Sequence, residues 1–377
     1  MNPGALLAIV RKEFRQIRRD PTSMGMLLVL PSALIILVGY ALNFDVKHIP
    51  LVLYDQDKSA MSRDFLRVFR QTEYFDYLAS ADSYEEVEQL LNTGAADAAV
   101  VVPVSFSRDL AAGLDVRVQV LVDGSDANSA GQALSYASRM TSNYSARIVS
   151  QAMFRSGRSP FLPLDFQPRV WYNPDLVSSK FLLPGLIGFI LVLTAVVSTS
   201  MTVVREKERG TMEQILVSPV RPVELILGKT IPYLLVSLVA ATMILVLGYL
   251  LFDVVITGSI LLLYVAIFIL IVGALAQGLL ISTITDSQQV AFLISVFSSL
   301  LPSFLLSGFV FPVANMPWLL QVLSNVAVAK FFLVICRGIV LKGTGLEALW
   351  VQFVWMILFA FLLLAVSIRR MSTRGNQ

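Results

Sequence analysis

The chain alternates between long apolar runs and short charged ones, and the apolar runs have the length of membrane spans. Residues 23–42, 181–204, 231–252, 260–283, 290–311 and 348–368 are almost wholly apolar. About 20 such residues cross a bilayer as a helix. These runs are apolar on every face and do not alternate, and inside lipid only helices and closed barrels satisfy their backbone groups. The pattern therefore predicts an α-helical membrane protein with six transmembrane helices. One charged stretch stands out between the second and third runs: Val203-Val204-Arg205-Glu206-Lys207-Glu208-Arg209-Gly210-Thr211-Met212-Glu213-Gln214-Ile215-Leu216-Val217-Ser218-Pro219. It reads as a short helical segment within residues 205–229. Such a segment, held between two spans, is where a membrane protein would take a push from a soluble partner.

Residues 43–180 follow a different pattern. Strands are expected at 49–54, 98–102 and 116–122, ended by the turn residues Asp55-Gln56-Asp57 and Asp123-Gly124-Ser125-Asp126. Residues 59–71 place Met61, Phe65, Val68 and Phe69 on one helical face. Residues 83–91 open with Ser83 and carry Glu86 three positions on, a capping-box pattern. A long helix is expected over 128–154. Strands alternating with helices predict a small α/β domain between the first two spans. Asp55, Asp57, Asp123 and Asp126 suit a cation site in principle, but their turn positions favour solvated turn residues. His48, the only histidine, has no nearby catalytic constellation.

Lysine and arginine in the short flanks set the orientation. Arg11, Lys12, Arg15, Arg18 and Arg19 precede the first span. Arg205, Lys207, Arg209, Arg221 and Lys229 lie between the second and third. Arg369, Arg370 and Arg374 follow the sixth. Six spans place all three clusters on one side, taken as the cytoplasm; residues 285–289 carry no basic residue and do not vote. Residues 43–180 and 312–347 then lie outside, and 369–377 form a cytoplasmic tail. Residues 1–20 are amphipathic. Leu6, Leu7, Ile9, Val10, Phe14 and Ile17 form the apolar part, and Arg11, Lys12, Glu13 and Arg15 are the candidate interfacial residues. Such a helix lies in the headgroup layer against membrane lipid, either as an anchor alone or also touching a cytoplasmic partner.

Residues 312–347 are too broken to span and too apolar for a free loop, which predicts short half-inserted helices at the outer leaflet. The turn that leads into them, with Gly308, Phe309, Phe311 and Pro312, is a candidate outer gate or simply a helix cap.

Composition narrows the function. Hydrophobic residues make up 56% and charged residues 15%, against about 25% charged in an ordinary soluble domain. The net charge of +3 is too small to suggest nucleic acid. One cysteine, Cys336, excludes a disulfide framework and a cysteine-based metal site, and its apolar surroundings read as a buried small residue. Gly228-Lys229-Thr230 resembles the end of a phosphate-binding loop, but Val223 stands where that loop needs glycine. No metal-ligand cluster or nucleophile motif appears, so no catalytic residue is expected. The spans are almost free of ionisable groups, which argues against a proton- or sodium-coupled carrier. Energy must come from elsewhere.

Three pieces, taken in order, carry a family resemblance. The first is Arg11-Lys12-Glu13-Phe14 with Arg18-Arg19-Asp20-Pro21. The second is Arg205-Glu206-Lys207-Glu208-Arg209-Gly210-Thr211 with Glu213-Gln214 and Ser218-Pro219. The third is Ser307-Gly308-Phe309 and Phe311-Pro312 with Met316-Pro317, ending in Arg337-Gly338. Together they resemble the membrane subunit of bacterial ABC-2 type exporters, of the multidrug kind with a large outer domain between spans one and two. The resemblance implies a multi-pass permease of the bacterial inner membrane that is not itself an enzyme. It implies that Arg205, Glu206, Lys207, Glu208, Arg209, Gly210, Thr211 and Glu213 couple to a separate ABC ATP-binding subunit, which binds ATP and Mg; this chain holds no cofactor. It implies a second permease copy or a paralogue, and pairing with a periplasmic adaptor. The expected function is ATP-driven export of an amphipathic or hydrophobic compound, drug-like or lipid-like. The alternative is a membrane-anchored sensor or assembly factor that binds a ligand or partner through its outer domain.

Overall fold

The computed structural model describes residues 3–41, 48–155, 171–173, 178–211 and 222–374. The chain divides into two units, Phe44–Pro168 and the remainder.

The Phe44–Pro168 unit holds a four-stranded sheet. Its strands are β1 (Ile49–Asp55), β2 (Phe75–Ala81), β3 (Ala98–Val102) and β4 (Gln119–Val122), in the order β2-β1-β3-β4. β1 runs parallel to β2 and β3, and β4 is antiparallel to β3. Alternate strand residues face opposite sides. Ile49, Leu51, Leu53, Val100 and Val102 meet Phe65, Phe69, Phe106, Ala133, Ala137 and Met140 on one side. Val52 and Ala99 meet Val87 and Ala96 on the other. Helices on both faces bury β1 and β3, which is why β3 is an unbroken run of Ala and Val. β2 was not expected from the sequence. It is an edge strand with most side chains exposed, so Asp76 and Ser80 interrupt the apolar pattern that marks a buried strand.

The helix Ala60–Arg70 starts at Ser59, which exchanges a full capping box with Ser62. The box expected at Ser83 is half formed. Ser83 accepts from the Glu86 backbone, while the Glu86 carboxylate turns to the Asp82 amide. Three of the four acids serve local turns, and Asp57 reaches across to the start of the helix Phe106–Ala111. Asp55 accepts from the Lys58 amide at 2.9 Å and the Ser62 hydroxyl at 2.7 Å. Asp57 accepts from the Ser107 amide, Asp123 from the Ser125 amide, and Asp126 from the Asn128 amide and the Ser129 hydroxyl. These bonds hold the Asp123 and Asp126 carboxyls below the usual carboxylate range.

Among the described residues of the other unit, five helices are long and apolar enough to cross a membrane: Ser178–Glu208, Val223–Phe252, Ile260–Ile284, Gln288–Leu306 and Leu346–Arg370. A sixth is reached if Trp318–Val326 and Val328–Lys342, bent by 86° at their junction, count as one span. The first apolar run forms the shorter helix Gly25–Ala41. Ser178–Glu208 is the central helix, with 83% of its apolar window buried, against 22–50% for the other four. Close approach is made by small residues, as expected where lipid supplies no hydrophobic drive between helices. A Cβ at Gly278 would lie 2.6 Å from the Val196 carbonyl oxygen. Ser295, Ser299, Ser303 and Ser307 recur every fourth position on the buried side of the fifth run. Ser295 shares a hydroxyl hydrogen bond of 2.6 Å with Ser200 of the central helix.

Candidate coupling site

The first helix, Pro3–Arg19, has Ile9, Glu13 and Ile17 at four-residue spacing, so one face carries all three. Ile9 packs against Gly228, where a Cβ would come within 2.6 Å of it. Ile17 is 2% exposed and belongs to the main core. Glu13 is drawn in with them and is fully buried. Glu13 was expected among residues of the headgroup layer; the structure places it inside. Arg11 and Arg15 stay exposed.

A buried carboxylate must be paired. Lys229, read from the sequence as a flank residue, is 2% exposed and donates to Glu13 at 2.9 Å. Its Nζ also lies 2.5 Å from Glu206 Oε2, an ion pair. Glu206, at the end of the central helix, is 5% exposed. Lys12 closes the group, binding Glu13 at 3.0 Å and Glu206 as well. Partial burial works against the Lys12 charge, but the Glu206 and Glu13 carboxylates outweigh it and raise its pKa above the usual lysine value. Two cations and two anions thus tie the first helix, the end of the central helix and the start of the helix Pro222–Phe252. Glu13 and Lys229 lie 216 positions apart, so no local spacing reveals the pair. The one sequence signal was an acid set between Ile9 and Ile17.

The neighbouring charges are also engaged within the chain. Arg205 binds Asp20 at 2.5 Å and Gln288 at 3.3 Å. Lys207 donates to the Ser282 and Thr285 carbonyls, the latter at 3.0 Å, where the helix Ile260–Ile284 ends and its carbonyls lack helical partners. Glu208 is exposed yet accepts from the Gln288 amide at 2.7 Å and from its side chain. Gln288 is the first residue of the next helix, so a carboxylate sits at a helix N-terminus. Arg209 has no partner among the described residues, and it is exposed together with Gly210 and Thr211. Gly210, at φ 68°, turns the chain back, and Thr211 donates to the Glu206 carbonyl at 3.2 Å. Glu213 lies outside the described residues. The charged stretch is therefore two-sided: residues 205–208 clamp the bundle, and the free surface begins at Arg209.

The second candidate region surrounds Gly308, whose φ of 83° is the left-handed conformation that glycine adopts without cost. Phe309 is fully buried against Gly185, with Phe304 at 5.6 Å. Phe311 and Pro312 are exposed and stand apart from this packing. The fifth run changes to a wider helical turn at Pro302–Leu306, before Pro312 is reached, so Pro312 does not end it. Arg337 is the residue that orders the turn. It donates to the carbonyls of Gly308 at 3.2 Å, Phe309 at 3.3 Å and Phe181 at 3.2 Å, and lies 3.7 Å over the Phe181 ring.

The comparisons agree with this architecture. A family described as ABC-2 family transporter protein matches residues 22–369. The chain is 32% identical over 345 residues to the probable multidrug ABC transporter permease YbhR of Escherichia coli K12, covering 92% of each chain. It is 30% identical over 362 residues to the probable multidrug ABC transporter permease YbhS of the same strain, covering 96% of this chain and 94% of the relative. It is 29% identical over 314 residues to the inner membrane transport permease YhhJ of that strain, covering 82% of this chain and 81% of the relative. With a family match over most of its length and two relatives at 30% identity or more, the chain belongs to the ABC-2 transporter family.

Proposed function

We propose that this chain is the membrane-spanning permease of an ATP-driven exporter, working as one of a pair and driven by a separate ABC ATP-binding subunit that holds ATP and Mg. The observation that carries the reading is the ionic junction. Glu13, Glu206, Lys12 and Lys229 join three elements directly beside the exposed turn at Arg209 and Gly210. A force on that turn is delivered to the central helix through charge-assisted contacts rather than through a flexible loop. In this reading the junction faces the cytoplasm, the α/β unit lies outside, and the Arg337-bound turn at Gly308 is the outer gate. The relatives' names favour export of drug-like amphipathic compounds and an inner-membrane location. An adaptor on the outer side belongs to the same reading.

The test is co-purification of the permease with the products of its neighbouring genes, followed by assay of any ABC ATP-binding subunit so recovered for ATP hydrolysis in proteoliposomes. Arg209→Glu changes an exposed residue without a partner among the described residues, so the permease should fold and the complex should lose coupling. Normal stimulation of hydrolysis by substrate in that variant refutes the role of the turn.

A further inference from the structure

We propose that the first helix and the spans behind it form a binding site for one anionic phospholipid of the cytoplasmic leaflet. A cavity of about 510 Å³ is lined by Arg15, Arg18 and Arg19 together with the apolar Phe14, Ile17, Met24 and Val236. None of the three arginines has a hydrogen bond or ion pair among the described residues. The acids nearest in sequence are already engaged, Glu13 by Lys229 and Asp20 by Arg205. Three guanidinium groups around one cavity, with no carboxylate partner among the described residues, favour an anion from outside the chain. Arginine suits phosphate because its planar fork donates to two oxygens at once.

The apolar side fixes the class of ligand. Met24 immediately precedes the apolar helix Gly25–Ala41. Val236 lies five residues beyond Ile231, where the apolar run begins, or about 7.5 Å deeper at about 1.5 Å per residue. The cavity therefore reaches from headgroup level to acyl-chain depth. Free phosphate would leave the apolar side empty. A soluble subunit docking from the cytoplasm would not reach Val236. A phospholipid with a net negative head fills both halves.

The full-length permease is purified in mixed micelles with dioleoyl phosphatidylglycerol or dioleoyl phosphatidylcholine, and bound lipid is counted by native mass spectrometry. The wild type should retain phosphatidylglycerol in preference to phosphatidylcholine. Each arginine replaced in R15Q, R18Q and R19Q should lower its apparent affinity about fivefold, and the triple variant should lose the preference. Val236→Trp, which fills the apolar side and leaves the charge unchanged, should also reduce retention. R369Q/R370Q, in the other basic flank, should not. Equal loss in R369Q/R370Q, or full retention in Val236→Trp, would reduce the effect to general surface charge and overturn the site. Competition by millimolar inorganic phosphate would overturn the lipid assignment. Release of the lipid on ATP hydrolysis by the complex would make it a transported species and overturn the resident site. The arginines are exposed, so their variants carry the test even if Val236→Trp does not fold.

Discussion

Replacing Lys229 with methionine probes the ionic junction at its most buried point. The wild-type group balances Lys12 and Lys229 against Glu13 and Glu206. Both contacts to Glu13 go through Oε1, and Oε2 has no donor among the described residues. Lys229→Met removes the cation that is 2% exposed and leaves two buried carboxylates to Lys12, whose side chain is 48% exposed. Breaking a buried pair costs about 3–5 kcal/mol. Lys12 still reaches both acids, so the loss should sit near the low end, at ~3 kcal/mol. The methionine chain is close in volume, so cavity formation adds little. Adding Glu13→Gln removes one stranded charge, and the double variant should recover at least ~1 kcal/mol. The assay is thermal unfolding of the detergent-purified permease, with reversible denaturant titration where it can be achieved. Lys229→Met within ~0.5 kcal/mol of wild type would show that the pair is not buried as described, and a double variant less stable than the single would refute the stranded-charge argument.

Three further outcomes follow from the same geometry. A cysteine at Ser125 should react with an impermeant thiol reagent added to intact cells, while one at Thr211 should react only after permeabilisation; equal labelling at both refutes the six-span orientation. Glu208→Lys should lower stability as well as coupling, because it removes the acceptor at the start of the helix beginning at Gln288. A purely functional defect at wild-type stability would show that this contact contributes nothing. Arg337→Leu leaves three carbonyls without their donor and should cost about 2–3 kcal/mol, with Arg337→Lys restoring only part because it cannot fork. Full rescue by lysine in thermal unfolding refutes the three-carbonyl clasp.

Five of the six apolar runs were legible as helices long enough to cross a bilayer, because a run of apolar residues has one physical meaning there; the first, 23–42, forms only the shorter helix Gly25–Ala41. β1 and β3 were legible because helices cover both their faces and the buried positions are filled by Val, Leu, Ile and Ala. β2 was hidden because an edge strand with exposed side chains tolerates Asp76 and Ser80. The charged stretch was legible as a site but not in its parts. Sequence shows that Arg205, Glu206, Lys207 and Glu208 are charged, not that they turn inward to Asp20, Lys229, the Thr285 carbonyl and Gln288. Lys229 looked like an ordinary flank residue because its partner lies in the first helix. Gly308 was read as part of a gate or of a helix cap, and its φ of 83°, which the sequence does not show, makes Gly308→Val a strained change rather than a clean probe of gating. Arg337 is the better handle on that turn, because its side chain holds the turn without forming it.

The central claim is that ATP hydrolysis by a partner subunit drives export through this permease. It is tested most directly by dye accumulation in inside-out proteoliposomes that contain the permease and its co-purified ATP-binding subunit. The account predicts uptake that requires ATP, both subunits and an intact phosphate-binding lysine in the partner, and that is insensitive to collapse of the proton and sodium gradients. Uptake that continues without ATP and stops when those gradients are collapsed would contradict it.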